Sequence, residues 1–363
     1  MSPTVDATPF YKKLAFNLLS LSLMGMILYV GKSILIPLFF SMLLASLLLP
    51  LVMFLENKNV NRIVAILISL LLSTATIVGV IYFLSSQLAG FFEDIDVIKE
   101  RLREVFTSVQ HWIGDHFNIA IREQQAMIED TKEKVEAGKI VGQTFVSLTS
   151  FLSYIVLLPV YTFLLLYYKD LIKQFFIHIF RNDNEDSIRE VLHESRLVSQ
   201  SFITGLLIDV VIVFSLNSAG FLILGIKYAL FLALISALLN LIPYIGMIAA
   251  NIFCMLITLV SSENITDVLW VGVVLALVQL IDNNFLMPFI VGSKVRINAL
   301  ATLLGVLVGG ALCGVPGMFL AIPGVAVLKV IFDRVDGLKP YGILVGDNVD
   351  TPRLKFRRLR MKK

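Results

Sequence analysis

Eight apolar stretches, each long enough to cross a lipid bilayer as a helix, decide what this chain can fold into. A transmembrane helix needs about 17 to 25 predominantly apolar residues, and the bilayer interior offers no partner for unpaired backbone N–H and C=O groups. Because the stretches are continuous rather than alternating at period two, they predict helices and exclude an outer-membrane β-barrel. The stretches are 14–31, 33–55, 63–92, 140–168, 197–226, 228–262, 268–293 and 297–328.

Composition and charge agree with a membrane location. The chain is 57% hydrophobic and only 16% charged, whereas soluble domains carry about 25% charged residues. The last thirteen residues hold seven Lys and Arg and no acid, which is typical of a cytoplasmic tail that contacts anionic lipids rather than nucleic acid. These features predict an all-α polytopic protein of the bacterial inner (plasma) membrane with both termini cytoplasmic.

Two polar connections interrupt the apolar pattern. In the segment 93–139, apolar residues recur at spacings of three and four, which predicts an amphipathic helix. That helix either lies on the membrane domain or forms the seam of a homo-oligomer, as a short coiled coil would. In 169–199, a second apolar pattern predicts a helix along the membrane interface. The two patterns consist of Ile95, Ile98, Leu102, Val105, Val109 and Trp112, and of Leu171, Ile172, Phe175, Phe176 and Ile179.

Two apolar stretches, 228–262 and 297–328, are too long for one straight crossing. As continuous helices they would measure about 50 Å, against a hydrocarbon core of about 30 Å. Each stretch also contains helix breakers near its middle, so it is either a kinked, tilted span or a re-entrant hairpin of two shorter helices. The breakers are Pro243 and Gly246 in the first, and Gly309, Gly310, Gly314, Pro316 and Gly317 in the second.

The positive-inside rule favours the hairpins. With two hairpins, Lys294 and Arg296 lie inside and the base-free loop 261–267 lies outside; with two spans, both assignments are reversed. We therefore predict about six full spans plus two re-entrant hairpins in an inverted-repeat arrangement, as in many secondary transporters. The corresponding regions are a three-span region 1–92, an extracytoplasmic segment 93–139, a fourth span and cytoplasmic connection 140–199, a transport core 200–333 and a basic tail 334–363.

Several strings in the second half resemble the autoinducer-2 exporter family of bacterial membrane proteins. They are LIPYIGMIAAN (241–251), QLIDNNFLMPFIVG (279–292) and GVLVGGALCGVPGMFLAIPGVAVLKVIFD (305–333), with LLPVYTFLLLYYKD (157–170) and KPYG (339–342) elsewhere. The resemblance implies secondary active export, which in some relatives concerns autoinducer-2 and in others sodium or lithium in exchange for protons. The chain departs from the family at Asn298 and Ala299, where a proline is usual.

Ionisable and amide side chains inside apolar stretches are the candidate transport residues, because a charge in the membrane is costly and normally faces a partner or water. Gln279, Asp282 and Asn283 share one helix face and suit a sodium ion or a proton. Alternatively, Asp282 pairs with Lys294 or Arg296, or caps a broken helix. Asp209 is either a coupling carboxylate or is buried against Asn217 or Asn240. Asn240 and Asn251 flank Pro243 and either bind an ion or satisfy the broken backbone.

The glycines Gly305, Gly309, Gly310 and Gly314 form GxxxG spacings, which indicate close helix packing and are also compatible with a moving hairpin. No GxxxxGK[ST], HExxH or GxSxG motif occurs, so we expect neither an enzyme nor a cofactor. The leading hypothesis is secondary active export of a small solute such as an autoinducer-2-like signal. The alternatives are a Na⁺(Li⁺)/H⁺ antiporter with sodium at Asp282, and a non-transporting membrane scaffold. Expected partners are membrane lipids, a small-molecule or monovalent-cation substrate and further copies of the chain, but no nucleic acid.

Overall fold

The fold is described from a computed structural model that covers residues 10–93, 95–117, 156–179, 185–262, 264–292 and 297–347. Within these ranges the regular structure is helical throughout. Lys294, Arg296, the second half of the 93–139 segment and residues 348–363 of the basic tail lie outside the described residues.

Five helices make up the described first half of the chain. The two helices α2 and α3 form an apolar pair, and α4 carries the predicted amphipathic pattern. The helices are α1 (Phe10–Val30), α2 (Lys32–Asn57), α3 (Arg62–Glu93), α4 (Ile95–Phe117) and α5 (Val156–Tyr167).

Seven further α-helices and two π-helical turns follow in the described part of the chain. The longest, α7, runs without a break across residues 199 and 200, so no helix end marks the predicted boundary of the transport core. The helices are α6 (Lys169–Ile179), α7 (Glu185–Ile223), α8 (Ala229–Leu239), α9 (Ile245–Ser261), α10 (Ile265–Ile281), α11 (Ala299–Arg334) and α12 (Lys339–Val345). The π-helical turns Asp282–Leu286 and Pro288–Gly292 continue α10.

By length and composition, five helices within the described residues could cross a membrane, if Ala299–Arg334 is counted as one helix although it bends at Gly314. Their outer faces expose large apolar side chains, among them Tyr82, Ile223 and Phe289, each more than 70% accessible. Such surfaces are stable in lipid, whereas in water they are sites of association. The five are Lys32–Asn57, Arg62–Leu88, Ile188–Ile223, Ile265–Ile290 and Ala299–Arg334.

The helix of the first overlong stretch is interrupted around Pro243, as predicted. The chain leaves the helix after Leu239, Tyr244 takes a left-handed conformation at φ 62°, and α9 begins at Ile245. The helices then fold back on each other, since Cys254 Sγ lies 3.5 Å from the Leu232 carbonyl oxygen. A Cβ on Gly246 would collide with the carbonyl of Leu239, so the return is as tight as a glycine permits. We call residues 228–262 hairpin 1.

The second overlong stretch also folds back, about a bend at Gly314. This residue has φ 66° and ψ −151°, a conformation open essentially to glycine alone. A Cβ on Gly305 would lie 2.9 Å from Cγ2 of Val325, although the two positions would be about 30 Å apart in a straight helix. Gly309 and Gly317 meet backbone to backbone. The predicted close packing at these glycines therefore occurs within one helix pair, residues 297–334, which we call hairpin 2.

The start of hairpin 2 is hydrogen-bonded to the end of α12, the helix that follows the other end of the hairpin. The backbone N–H of Asn298 donates to the carbonyl of Val345 at 2.9 Å, and the Asn298 side chain donates to the carbonyls of Leu344 and Gly346. The same side chain accepts from the N–H of Ala301 and caps α11. Asn298 thus joins the start of hairpin 2 to α12.

Hairpin 1 lies at the centre of the helical core. Leu232, Ala233 and Ala237 of α8 are inaccessible. One cluster joins Ala237 to α7 and α10, and a larger one joins Leu232 and Ala233 to α7, α9 and α10. From the amphipathic helix α4, Ile98 reaches this cluster, while Leu102 and Trp112 remain about half exposed. The helix predicted in 93–139 is thus confirmed for its first half, and self-association through its uncovered apolar residues stays a prediction.

Candidate functional site

Two interruptions of regular helix and one unbroken helix meet around the predicted intramembrane acids. Asn240 follows the last residue of α8, and Asp282 stands where α10 changes from α- to π-helical hydrogen bonding. A π-helical turn rotates the following residues relative to the preceding helix and often occurs at functional sites. Asp209 faces these two residues from the unbroken helix α7. Hairpin 1, α10 and α7 each contribute one polar side chain to the same point.

The side-chain amide of Asn240 bridges the two carboxylates. Its Nδ2 lies 3.0 Å from Oδ2 of Asp282 and 3.5 Å from Oδ2 of Asp209. Both aspartates are 2% accessible, so water does not solvate them freely. A single amide group thus faces two buried acids that lie on different helices.

Gln279 adds a second donor on the α10 side. Its Nε2 lies 3.2 Å from Oδ2 of Asp282 and 3.1 Å from Oδ1 of Asn283. Asn283 itself is exposed, so it belongs to the edge of the site rather than to its interior. The predicted face formed by Gln279, Asp282 and Asn283 is therefore present, with Asp282 turned inward.

Polar atoms at the site remain unsatisfied. Among the described residues, Oδ1 of Asp209, Oδ1 of Asp282 and Oδ1 of Asn217 are buried and have no hydrogen-bond partner. Leaving a buried acceptor unpaired costs about 1–3 kcal/mol, and more for a charged group. These three oxygens favour binding of a proton or of a cation with oxygen ligands.

A cavity of about 10 Å³ adjoins Asp282, which is the room of about one water molecule. Asn240, Asn251 and Gln279 line it together with two further polar residues, Asn217 and Ser236. Its remaining walls are apolar and come from α7, hairpin 1 and α10. A bare monovalent ion or one water fits such a space, whereas an organic solute does not.

Ser236 is the cavity residue that sequence reasoning missed. Its Oγ accepts from Nδ2 of Asn217 at 3.3 Å, and it lies one helical turn before Asn240. The i, i+4 spacing of Ser236 and Asn240 was the available signal, because it places both on one face of α8. Asn217, predicted as a partner of Asp209, contacts Ser236 instead, whereas the predicted contact between Asp209 and Asn240 is present.

The remaining predicted residues do not line the cavity. Pro243 and Gly246 form the turn of hairpin 1, next to the site, while the five breakers of hairpin 2 shape its own bend and do not line the cavity. The alternative pairing of Asp282 with Lys294 or Arg296 falls outside the described residues. No group of three or more His, Cys, Asp or Glu suited to a metal occurs in the described part of the chain.

A multi-pass helical protein with two folded-back helix pairs and a buried carboxylate pair has the architecture of a membrane transport protein. Residues 18–337 match the AI-2E family transporter, and the chain belongs to this family. The chain is 30% identical to "Putative transport protein YrrI" of Bacillus subtilis over 83% of this chain and 86% of that protein.

Two further relatives extend the comparison. The chain is 25% identical to "Putative transport protein MT0215" of Mycobacterium tuberculosis, over 85% of this chain and 84% of that protein. It is 24% identical to "Putative permease PerM" of Escherichia coli, over 58% of each. The family match and the apolar helices together identify a multi-pass membrane protein with a role in transport.

Proposed function

We propose that this protein is a secondary active transporter of the bacterial inner membrane that exchanges a monovalent cation, sodium or lithium, for protons at Asp209 and Asp282. The observation that carries the proposal is the bridging of two buried carboxylates by one amide, Asn240, beside a cavity with room for one small ion. Among the functions open to this family, cation/proton exchange is the one that this geometry supports best.

Competition for the same oxygens couples the two ions. Two buried carboxylates cannot both stay charged without compensation, because desolvation and mutual repulsion each disfavour the doubly charged pair. A proton on one carboxyl group or a cation between them supplies that compensation, and each excludes the other. Asn217, whose buried Oδ1 has no hydrogen-bond partner in the described part of the chain, and Asn251 can offer amide oxygens, which are hard ligands of the kind that sodium prefers.

Hairpins 1 and 2 suit alternating access if both are re-entrant. In this arrangement each enters and leaves the membrane on one side, and the site beside the turn of hairpin 1 lies near the middle of the bilayer. The transport core then extends over 200–333, with both termini in the cytoplasm. The contact of Asn298 with Val345 supports this arrangement for hairpin 2, since the two ends of the hairpin adjoin.

Export of a small polar organic solute, such as an autoinducer-2-like signal, is the second candidate. It is favoured by membership of the AI-2E family. The cavity beside Asp282 is too small for such a solute, so export requires hairpin 1 to separate from α10 during the cycle. Under this function the carboxylate pair binds the coupling ion and the solute binds elsewhere. A non-transporting scaffold is disfavoured, because it has no use for buried carboxylates that are costly to insert.

The test is the internal pH of proteoliposomes after sodium or lithium is added outside. We expect a cation-driven pH change in the wild type that is lost in Asp282→Asn and in Asp209→Asn. Asp267→Asn is the matched control, because Asp267 lies in the first turn of α10, contacts Ser262 and is remote from the pair. A wild type that gives no pH response, in folded and correctly oriented protein, would eliminate cation/proton exchange. Loss of the response in Asp267→Asn as well would show that the effect is not specific to the pair.

A further inference from the structure

A second, larger pocket lies far from the carboxylate pair, where the end of α2 meets α6 and the first half of α7. Its volume is about 590 Å³, which falls in the range of pockets that bind small molecules. One part of its wall is apolar and includes Leu49, Met53 and Phe176. The other part is basic and includes Lys173 and Arg196. The pocket therefore has an amphipathic lining.

The acids of this pocket are already paired. Nζ of Lys169 lies 2.6 Å from Oε2 of Glu56, and Nη1 of Arg62 lies 2.9 Å from Oδ2 of Asp170. Lys173 and Arg196, in contrast, form no ion pair with an acid of the described residues. The pocket consequently keeps an excess of positive charge, which an anion would balance.

Arg196 is a partly buried basic residue of this pocket whose donors are poorly satisfied. Its Nη2 lies 3.7 Å from the sulfur of Met53, a weak acceptor, and its Nε is buried without a hydrogen-bond partner in the described residues. A guanidinium carries five N–H donors and pairs best with a phosphate or carboxylate. The geometry around Arg196 thus lacks an anionic acceptor.

The helices beside the pocket are of the kinds expected at a membrane surface. Beside it, α6 exposes Leu171, Phe175 and Ile179 on one face, each about 60% accessible, as predicted for a helix along the interface. On its other side, α2 is one of the long apolar helices. Positions of this kind bring lipid headgroups next to the basic residues and acyl chains next to the apolar wall.

We propose that this pocket binds an anionic phospholipid. The phosphate lies against Arg196 and Lys173, and an acyl chain runs along Met53 and Phe176. A small soluble anion would use the basic residues but would leave the apolar wall uncovered. The charge and the apolar wall together therefore select a lipid rather than a free anion.

The experiment measures, by native mass spectrometry, how tightly the purified full-length protein binds two lipids that have the same acyl chains and different headgroups. We expect dioleoyl-phosphatidylglycerol to bind more tightly than dioleoyl-phosphatidylcholine. The double variant Arg196→Gln with Lys173→Gln should weaken phosphatidylglycerol binding about 30-fold, from roughly fivefold for each basic residue near a membrane surface. The control is Lys99→Gln with Arg101→Gln on α4, which removes the same charge away from the pocket and should bind as the wild type does.

Three outcomes would overturn the proposal. Equal binding of the two lipids would show that the anionic headgroup is not recognised. Unchanged phosphatidylglycerol binding in the double variant would show that the lipid binds outside this pocket. Inorganic phosphate that displaces phosphatidylglycerol at millimolar concentration would assign a free-anion site. If the double variant does not fold, Lys173→Glu at an exposed position replaces it and should weaken phosphatidylglycerol binding, whereas undiminished binding in that variant would overturn the proposal equally.

Discussion

The side-chain nitrogen of Asn240 lies 3.0 Å from Oδ2 of Asp282, and this contact joins the turn of hairpin 1 to the π-helical turn that ends α10. Each of these turns interrupts a helix, and each leaves backbone groups without their usual intrahelical partners. The contact therefore links two places where the structure can rearrange at low cost. An ion that binds between Asp209 and Asp282 acts on both interruptions at once.

Sodium or lithium should raise the thermal stability of the wild-type protein above that in choline chloride of the same concentration. The physical reason is that an ion bound to the folded state alone stabilises it by an amount set by concentration and affinity, about 2.7 kcal/mol at 100 times the dissociation constant. Asp282→Asn should lose the difference between the salts. The measurement is the midpoint of heat-induced aggregation in detergent, and a sodium effect that persists in Asp282→Asn would contradict the assignment of the site.

Asn240→Ala should destabilise the protein in choline chloride, because Asp209 and Asp282 both lose their shared donor. Loss of a hydrogen bond to a buried charged group costs on the order of 1–3 kcal/mol. Sodium should recover more of the melting midpoint in this variant than in the wild type, since a cation then supplies the missing compensation. Asn284→Ala is the control, because the Asn284 side chain is exposed and donates to the carbonyl of Leu280 rather than to either acid.

Gly309→Ala and Gly317→Ala should each destabilise hairpin 2. A Cβ at either position meets the carbonyl of the other across the hairpin, and forcing extra atoms into a packed contact costs about 1–3 kcal/mol. Gly324→Ala is the matched control, since a Cβ there meets nothing within 4 Å and alanine favours a helix. Equal melting midpoints for the three variants would show that the close approach is not required.

Asn298→Ala should loosen α12. The substitution removes the cap of α11 and both side-chain bonds to the carbonyls of Leu344 and Gly346. Hydrogen–deuterium exchange of Lys339–Val345 should become faster, with little change in α8. Asn284→Ala provides the comparison, because the Asn284 side chain is exposed and donates to Leu280 of its own helix. Unchanged exchange in α12 would mean that the backbone contact with Val345 suffices.

A cysteine at Ser262, in a protein with Cys254 and Cys313 replaced by alanine, should react with a membrane-impermeant maleimide added from the periplasm. A cysteine at Lys58 should react from the cytoplasmic side only. Re-entrant hairpins place the turn after hairpin 1 outside, whereas two full spans place it inside. Cytoplasmic labelling of Ser262→Cys would therefore contradict the re-entrant hairpins and favour two full spans.

The breaks in the two overlong stretches were predictable from Pro243 and from the glycines around Gly314, because length and helix breakers are local properties of the sequence. The partner of each broken half was not predictable in the same way. That Gly305 packs against Val325 depends on the left-handed bend at Gly314, and that Asn298 holds Val345 depends on where hairpin 2 returns. Sequence spacing gives the position of a bend but not the contacts that result from it.

The candidate site shows the same division. Asp209 and Asp282 stand out because a carboxylate in an apolar stretch is rare. Ser236 does not stand out, since a serine costs little within a helix, and its place in the cavity follows from the packing of α8 against α7. The π-helical turn at Asp282 directs the carboxylate inward while Asn283 remains exposed, and its local signal is Pro288, which cannot donate to the carbonyl of Asn284 as a regular α-helix requires.

Hairpin 2 is fastened at its base and open at its tip. Asn298 binds one end to α12, while Arg334 at the other end contacts Glu190 and Glu194 of α7 at 2.6 and 2.7 Å. Gly314, at the bend, has no neighbour within 4 Å of the position a Cβ would take. With both ends anchored, the helix pair is expected to tilt about its base more readily than it slides along its own length. Small changes where α7, α11 and α12 meet would then produce larger displacements at Gly314.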